Sequence, residues 1–134
     1  MGDLISLFLD TTFLVAYYNE RETNLARVVE LLKNIETKQF GASYISDYIF
    51  DETITLLKKY LGNKRATDKG IGILKSNELL KVDSQVFADA WNLSKKFDGL
   101  SFTDCTNVAL MKHYNIDFIA TYDSGFDGIV KILQ

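Results

Sequence analysis

Ile5-Ser6-Leu7-Phe8-Leu9-Asp10-Thr11-Thr12 sets the reading of the fold. An apolar run of strand length stops at a carboxylate and two hydroxyls, side chains that cap the first turn of a helix. A strand passing directly into a helix is the first half of a crossover unit, and the alternation continues down the chain. Phe40 to Ser43 and Leu79 to Val82 read as strands, and Phe118 to Thr121 and Ile129 to Leu133 as the last two. Between them, Leu25, Val28, Val29, Leu31 and Leu32 fall at helical spacing from Thr23 to Ile35. Ser46 is the N-cap expected for a helix through Leu61, with Gly62 just beyond its end. Asn63 to Ser76 is also expected to be helical, although Gly70 and Gly72 weaken it. Asp83 and Ser84 can cap a helix to about Phe97, which Asp98-Gly99 breaks. Ser101 followed by Asp104 resembles a capping box opening a helix to Tyr114 that Asn115 ends. The pattern implies an α/β fold, a central and mainly parallel sheet flanked by helices on both faces.

With 134 residues, 47% of them hydrophobic, the chain is expected to form one domain over 1–134 with a core that needs no disulfides or structural metal. There is no proline, Ser/Gly-rich linker or low-complexity tract to mark a boundary. The lone Cys105 and the absence of a secretory signal point to a reducing cytoplasm, and no apolar run reaches membrane-spanning length. A net charge of -3 and a pI of about 5.1 argue against a general nucleic-acid coat protein. They leave room for a nuclease, because bound divalent cations return positive charge where a phosphate must sit.

Ligands of such sheets collect beyond the carboxyl ends of the strands, where Asp10 and Asp123 are expected. At about 100° per residue, Glu52 shares a helical face with Ile45, Ile49 and Leu56, whereas Asp51 lines up with Asp47, Thr55 and Lys58, a solvated composition. Asp104 falls in a first helical turn, on the face of Val108 and Met111. Taken singly, Asp10, Asp104 and Asp123 are also good caps, and Glu52 could form a buried ion pair. Four carboxylates converging on one crevice repel each other unless a cation joins them. Oxygen-only ligands select hard ions, so Mg²⁺ or Mn²⁺ is the expected cofactor, acting on a bound water and on phosphate oxygens.

Other chemistries lack their parts. His113 is the single histidine, no zinc pair exists, and neither GxGxxG nor GxxxxGK[ST] occurs. Cys105 reads as a packed thiol. Trp91, Tyr48, Phe50 and Tyr60 are expected in the core or at an interface rather than as base-stacking platforms. Lys58, Lys59, Lys64, Arg65 and Lys69 form the densest basic region, either a phosphate track or a solvated face.

With these residues placed, nearly the whole chain resembles the PIN-domain ribonucleases, in particular the small VapC-type toxins. Phe8-Leu9-Asp10-Thr11-Thr12 is similar to the family's strand-ending Asp motif, and Glu52 before Thr53-Ile54-Thr55-Leu56-Leu57 to its mid-chain helical Glu. Leu100-Ser101-Phe102-Thr103-Asp104, then Ala109, resembles its Asp-headed helix, and Ile119-Ala120-Thr121-Tyr122-Asp123-Ser124-Gly125-Phe126 its closing Thr-x-Asp-x-x-Phe. Cys105 stands where Ala is usual, and Gly125 where many members carry another acid. The resemblance implies that Asp10, Glu52, Asp104 and Asp123 bind Mg²⁺ or Mn²⁺ and position the attacking water, while Thr11 and Thr121 orient that shell. It also implies an RNA substrate, ribosomal or transfer RNA included, a homodimer, and a small antitoxin whose C-terminal segment fills the groove. Two rivals stand beside this reading. One is a non-catalytic PIN-like interaction module. The other, a haloacid-dehalogenase-type phosphatase, would need a second Asp at the position of Thr12.

Overall fold

Leu7, Phe8 and Leu9 are consecutive and all buried in strand β1 (Ile5–Leu9), as happens when a strand is covered on both faces of its sheet. The structure, a computed structural model, describes residues 5–19 and 40–133, so the helix expected from Thr23 to Ile35 lies outside the described residues. Strands β2 (Phe40–Ser46), β3 (Glu78–Leu80) and β4 (Phe118–Ala120) complete a sheet in the order β3-β2-β1-β4. All three pairings are parallel, with Leu7 opposite both Ser43 and Phe118, and Leu9 opposite Ala120. From β1 the chain builds outward through β2 and β3, then returns to the other side of β1 as β4. The order therefore reverses between β1 and β4, the position at which sheets of this kind bind ligands beyond the strand ends.

The expected strand from Ile129 to Leu133 does not form. Only an isolated parallel bridge joins Ile119 and Ile132. A parallel neighbour needs a crossover of about a dozen residues or more, and the chain between Ala120 and Ile129 is shorter than that. It is occupied instead by a 3-10 helix (Ser124–Phe126) and by Gly128 at φ 78. The third strand also stops early. Val82 donates its N–H to Asp47 Oδ1 at 3.0 Å, which draws the chain off the sheet after Leu80.

Five α-helices are present among the described residues: α1 (Thr11–Tyr18), α2 (Asp47–Leu61), α3 (Asn63–Ser76), α4 (Ser84–Ser94) and α5 (Phe102–His113). Ser46 caps α2 by accepting the Ile49 N–H at 3.0 Å, and Gly62, at φ 85, ends it. Gly70 is what allows α3 to lie against α2, because a Cβ there would stand 2.9 Å from Ile54 Cδ1. Its propensity cost of about 1 kcal/mol is thus offset by helix packing. Helix α4 ends at Ser94 rather than near Phe97, since the N–H groups of Lys96 and Phe97 both turn onto Leu93 O. Helix α5 has the expected capping box and is buried continuously from Asp104 to Met111, the character of a helix enclosed by its neighbours. Asn115 follows it at φ 53. No helix among the described residues is long and apolar enough to cross a membrane.

Candidate active site

Asp10 occupies the N-cap position of α1 but does not cap it with its side chain. Its backbone N–H is held by Ala120 O at 3.1 Å, which fixes the end of β1 against β4. The carboxylate, 2% exposed, instead receives three side-chain donors. Thr121 Oγ1 donates to Oδ2 at 2.7 Å, Thr12 Oγ1 approaches the same oxygen at 3.2 Å, and Asn107 Nδ2 donates to Oδ1 at 3.1 Å. Burial pushes the Asp10 pKa up to about 6; the Thr121 hydrogen bond opposes this and the Asp104 charge adds to it.

The threonines form a short relay. Thr121 Oγ1 accepts the Asp123 N–H at 2.9 Å, and Thr12 Oγ1 accepts the Tyr122 N–H at 3.0 Å. The two hydroxyls are 3.1 Å apart. With the Thr121 proton on Asp10, the Thr12 proton is shared between Asp10 Oδ2 and Thr121 Oγ1. Thr12, not Thr11, therefore stands beside Thr121 in orienting Asp10. The Thr11 hydroxyl is buried with no hydrogen-bond partner, although its backbone favours the charged form of Asp10. The reason is helical phase, since adjacent residues at the head of α1 diverge by about 100° and the second one meets the end of β4.

Asp104 is a genuine cap. Its N–H donates to Ser101 Oγ and its Oδ2 accepts the Ser101 N–H, both at 3.1 Å. Its pKa is nonetheless raised, by burial first, with the Ser101 hydrogen bonds opposing and the charges of Asp123 and Glu52 adding. Asp104 also acts on Asp10. It is the carboxylate through which the other three are electrostatically linked. Asp123 caps the 3-10 helix by accepting the Gly125 N–H on Oδ1 at 2.8 Å. A Cβ at Gly125 would lie 2.9 Å from Gly99 O and 3.1 Å from Asp123 Oδ1, so an acidic side chain there has no space without moving Asp123.

Glu52 requires a correction. Ile45 belongs to β2, and the buried stripe of α2 is Ile49, Thr53, Leu57 and Leu61. Glu52 flanks that stripe and is exposed, as is Asp51. Of these two, Glu52 but not Asp51 is among the charges that, after burial, raise the Asp104 pKa. Trp91 and Tyr60 are likewise exposed rather than core residues, while Tyr48 and Phe50 are partly buried. Cys105 is fully buried, and burial followed by the Asp104 charge pushes its thiol pKa up, which disfavours the reactive thiolate. Asn107 escaped the sequence reading. It lies three residues after Asp104, hence on nearly the same face, and is an amide directly before the apolar run Val108 to Met111.

Among the described residues, no three His, Cys, Asp or Glu side chains are placed closely enough to hold one ion as they stand. The donor chemistry nevertheless fits a hard divalent cation, because every group is an oxygen donor and neighbouring carboxylate charge adds to burial in raising the pKa of Asp10 and Asp104. A cation among them would remove that repulsion.

The sequence matches the PIN domain over residues 7–132. No curated protein matches it. Among solved structures, VapC20 of Mycobacterium tuberculosis, described as a Sarcin-Ricin loop cleaving toxin, aligns with a TM-score of 0.80. That alignment covers 96% of this chain and 99% of that one at 22% identity. A toxin-antitoxin complex from Klebsiella pneumoniae aligns with a TM-score of 0.70 over 96% of each chain at 16% identity. At these identities the likeness is one of fold.

Proposed function

Because the chain belongs to the PIN domain family, we propose that it is a metal-dependent endoribonuclease, the toxin of a VapBC-type toxin-antitoxin pair. The observation that carries this reading is the buried Asp10 carboxylate, held on both oxygens by Thr121, Thr12 and Asn107, with Thr121 also accepting the Asp123 N–H. These four carboxylates would hold Mg²⁺ or Mn²⁺. When bound, the ion supplies a water activated for attack and charge to stabilise the phosphate in an in-line displacement.

The protein's own residues set the geometry. Thr121 and Thr12 fix one oxygen of Asp10 and Asn107 fixes the other, so the carboxylate cannot rotate. Thr121 also ties Asp123 to the same frame through its N–H, and the Ser101 capping box holds Asp104. Glu52, on the exposed edge of α2, closes the acidic rim.

We read 1–134 as one domain acting in the cytoplasm on RNA, with a homodimer and a small antitoxin as partners. Exposed Tyr17 and Tyr60 offer surface for protein contacts, and the fold-level likeness to a chain of a toxin-antitoxin complex supports the antitoxin. The alternative is a non-catalytic interaction module, favoured by the lack of three clustered ligand side chains among the described residues. A phosphatase of the haloacid-dehalogenase type has less support, since the required second acid is Thr12, whose hydroxyl serves Asp10. The test is cleavage of a structured RNA by purified protein with Mg²⁺ or Mn²⁺, beside a p-nitrophenyl phosphate control. Cleavage that stops on chelation is expected. Cleavage persisting in excess EDTA would overturn the metal mechanism, and inert RNA with either ion would leave the interaction module.

A further inference from the structure

Trp91 is 56% exposed and Phe87 48% exposed, although both are large apolar side chains on a helix that buries Val86 and Ala90. Their rings are not loose. Phe87 meets Phe102 at a centroid distance of 5.1 Å and an interplanar angle of 61°, and Trp91 meets Phe102 at 6.5 Å and 58°. Phe102, partly buried at the start of α5, thus props both rings from one side. Phe87, Trp91 and Lys95 are spaced four residues apart and so follow one edge of α4, with Lys95 exposed just past its end. Two aromatic rings and a cation therefore lie in a line. The folded chain gains nothing from their exposure.

Phe102 and Asp104 share the first turn of α5 two residues apart, so their side chains leave the helix about 200° from one another, and Phe102 is the one that meets the rings of α4. A polynucleotide strand presents alternating π faces and negative charges, and an aromatic pair followed by a lysine matches it in both respects. A subunit interface would call for a broader apolar field, whereas Ser84 and Ala88 accompany the two rings on this edge.

We propose that Phe87 and Trp91, backed by Phe102, form a stacking site for an unpaired base of the RNA, with Lys95 meeting a phosphate of the same strand. The proposal rests on the nuclease reading only for where the scissile phosphate lies. Trp91 is the sole tryptophan, so its emission reports on this site alone. The experiment titrates the full chain in EDTA with a labelled oligoadenosine, following both Trp emission and the anisotropy of the label. Saturable quenching is expected, coincident with the anisotropy change. Trp91→Ala should weaken binding about tenfold, within the range for loss of one stacked base. Trp91→Leu, which keeps apolar bulk without a π face, should be as weak as Ala, and Trp91→Phe should retain most of the affinity.

Unchanged emission on binding, no binding, or parent-like affinity of Trp91→Leu would overturn the proposal. So would emission that changes with protein concentration without RNA, alongside a sedimentation shift lost in Trp91→Ala, because a second copy would then cover the rings. Metal-dependent cleavage without quenching removes the stacking site and keeps the nuclease. Quenching without cleavage does the reverse.

Discussion

Asn107 donates Nδ2 to Asp10 Oδ1 at 3.1 Å, while the carbonyl oxygen of the same buried amide has no partner among the described residues. An orphaned buried acceptor costs about 1–3 kcal/mol, so the contact with Asp10 is retained at the expense of stability. The amide favours the charged form of Asp10, the form that binds a cation. Asn107→Leu, similar in volume but without a donor, should therefore move the acid limb of the cleavage-pH profile upward and lower activity at pH 6 about tenfold or more. An unchanged profile would show that the amide serves packing alone.

The Asp10 pKa, raised from 3.8 to about 6, makes metal-free stability pH-dependent in a defined direction. Between these values the folded protein keeps a proton that the unfolded chain has lost, so stability falls as pH rises from about 4 to about 6 and levels off on either side. A displacement of about 2 pH units corresponds to roughly 3 kcal/mol. In EDTA, Asp10→Asn should gain up to that amount at pH 7 and nothing below pH 4, and it should not cleave RNA. Urea unfolding of both proteins across pH 4 to 7 checks this, and parallel curves would contradict it.

Asp51 and Glu52 are adjacent, acidic and exposed, yet only Glu52 acts on Asp104. Glu52→Gln should abolish most metal-dependent cleavage, whereas Asp51→Asn should leave it intact and change stability by no more than about 0.5 kcal/mol. Single-turnover assays at saturating Mg²⁺ separate the two. Equal activity in both variants would exclude Glu52 as a ligand.

Gly125→Ala would drive a methyl group against Gly99 O and Asp123 Oδ1, at 2.9 and 3.1 Å before relaxation. The carbonyl belongs to the backbone and yields little, so Asp123 is the group that moves. We expect a loss of about 1–3 kcal/mol in stability and a higher Mg²⁺ requirement for cleavage. Gly72→Ala, inside α3 where a Cβ has open space, should raise stability by about 0.5–1 kcal/mol and leave the Mg²⁺ requirement unchanged, and serves as the control.

What could be read locally was read well. Ser46 at the head of α2, Gly62 at its end and the Ser101/Asp104 capping box are decided by side chains within a few residues, so composition suffices to find them. The alternation of strand and helix likewise dictated a parallel α/β sheet. Gly70 misled only about strength, because its reason is Ile54 on another helix.

The sequence by itself determined the order of the described elements, the caps at Ser46, Asp83 and Ser101, and the positions of Asp10, Asp104 and Asp123 near strand or helix ends, because those depend on short-range backbone hydrogen bonding and hydrophobic period. Tertiary structure alone decided that Asn107 meets Asp10 across 97 residues, that Thr12 rather than Thr11 shares the Asp10 oxygen with Thr121, and that Glu52 lies outside the buried stripe. It also denied Ile129 to Leu133 a full strand and left Trp91 in solvent. Each of these depends on which surfaces the packed elements present to one another, a property set by crossover length and helix phase together and by no local window of residues.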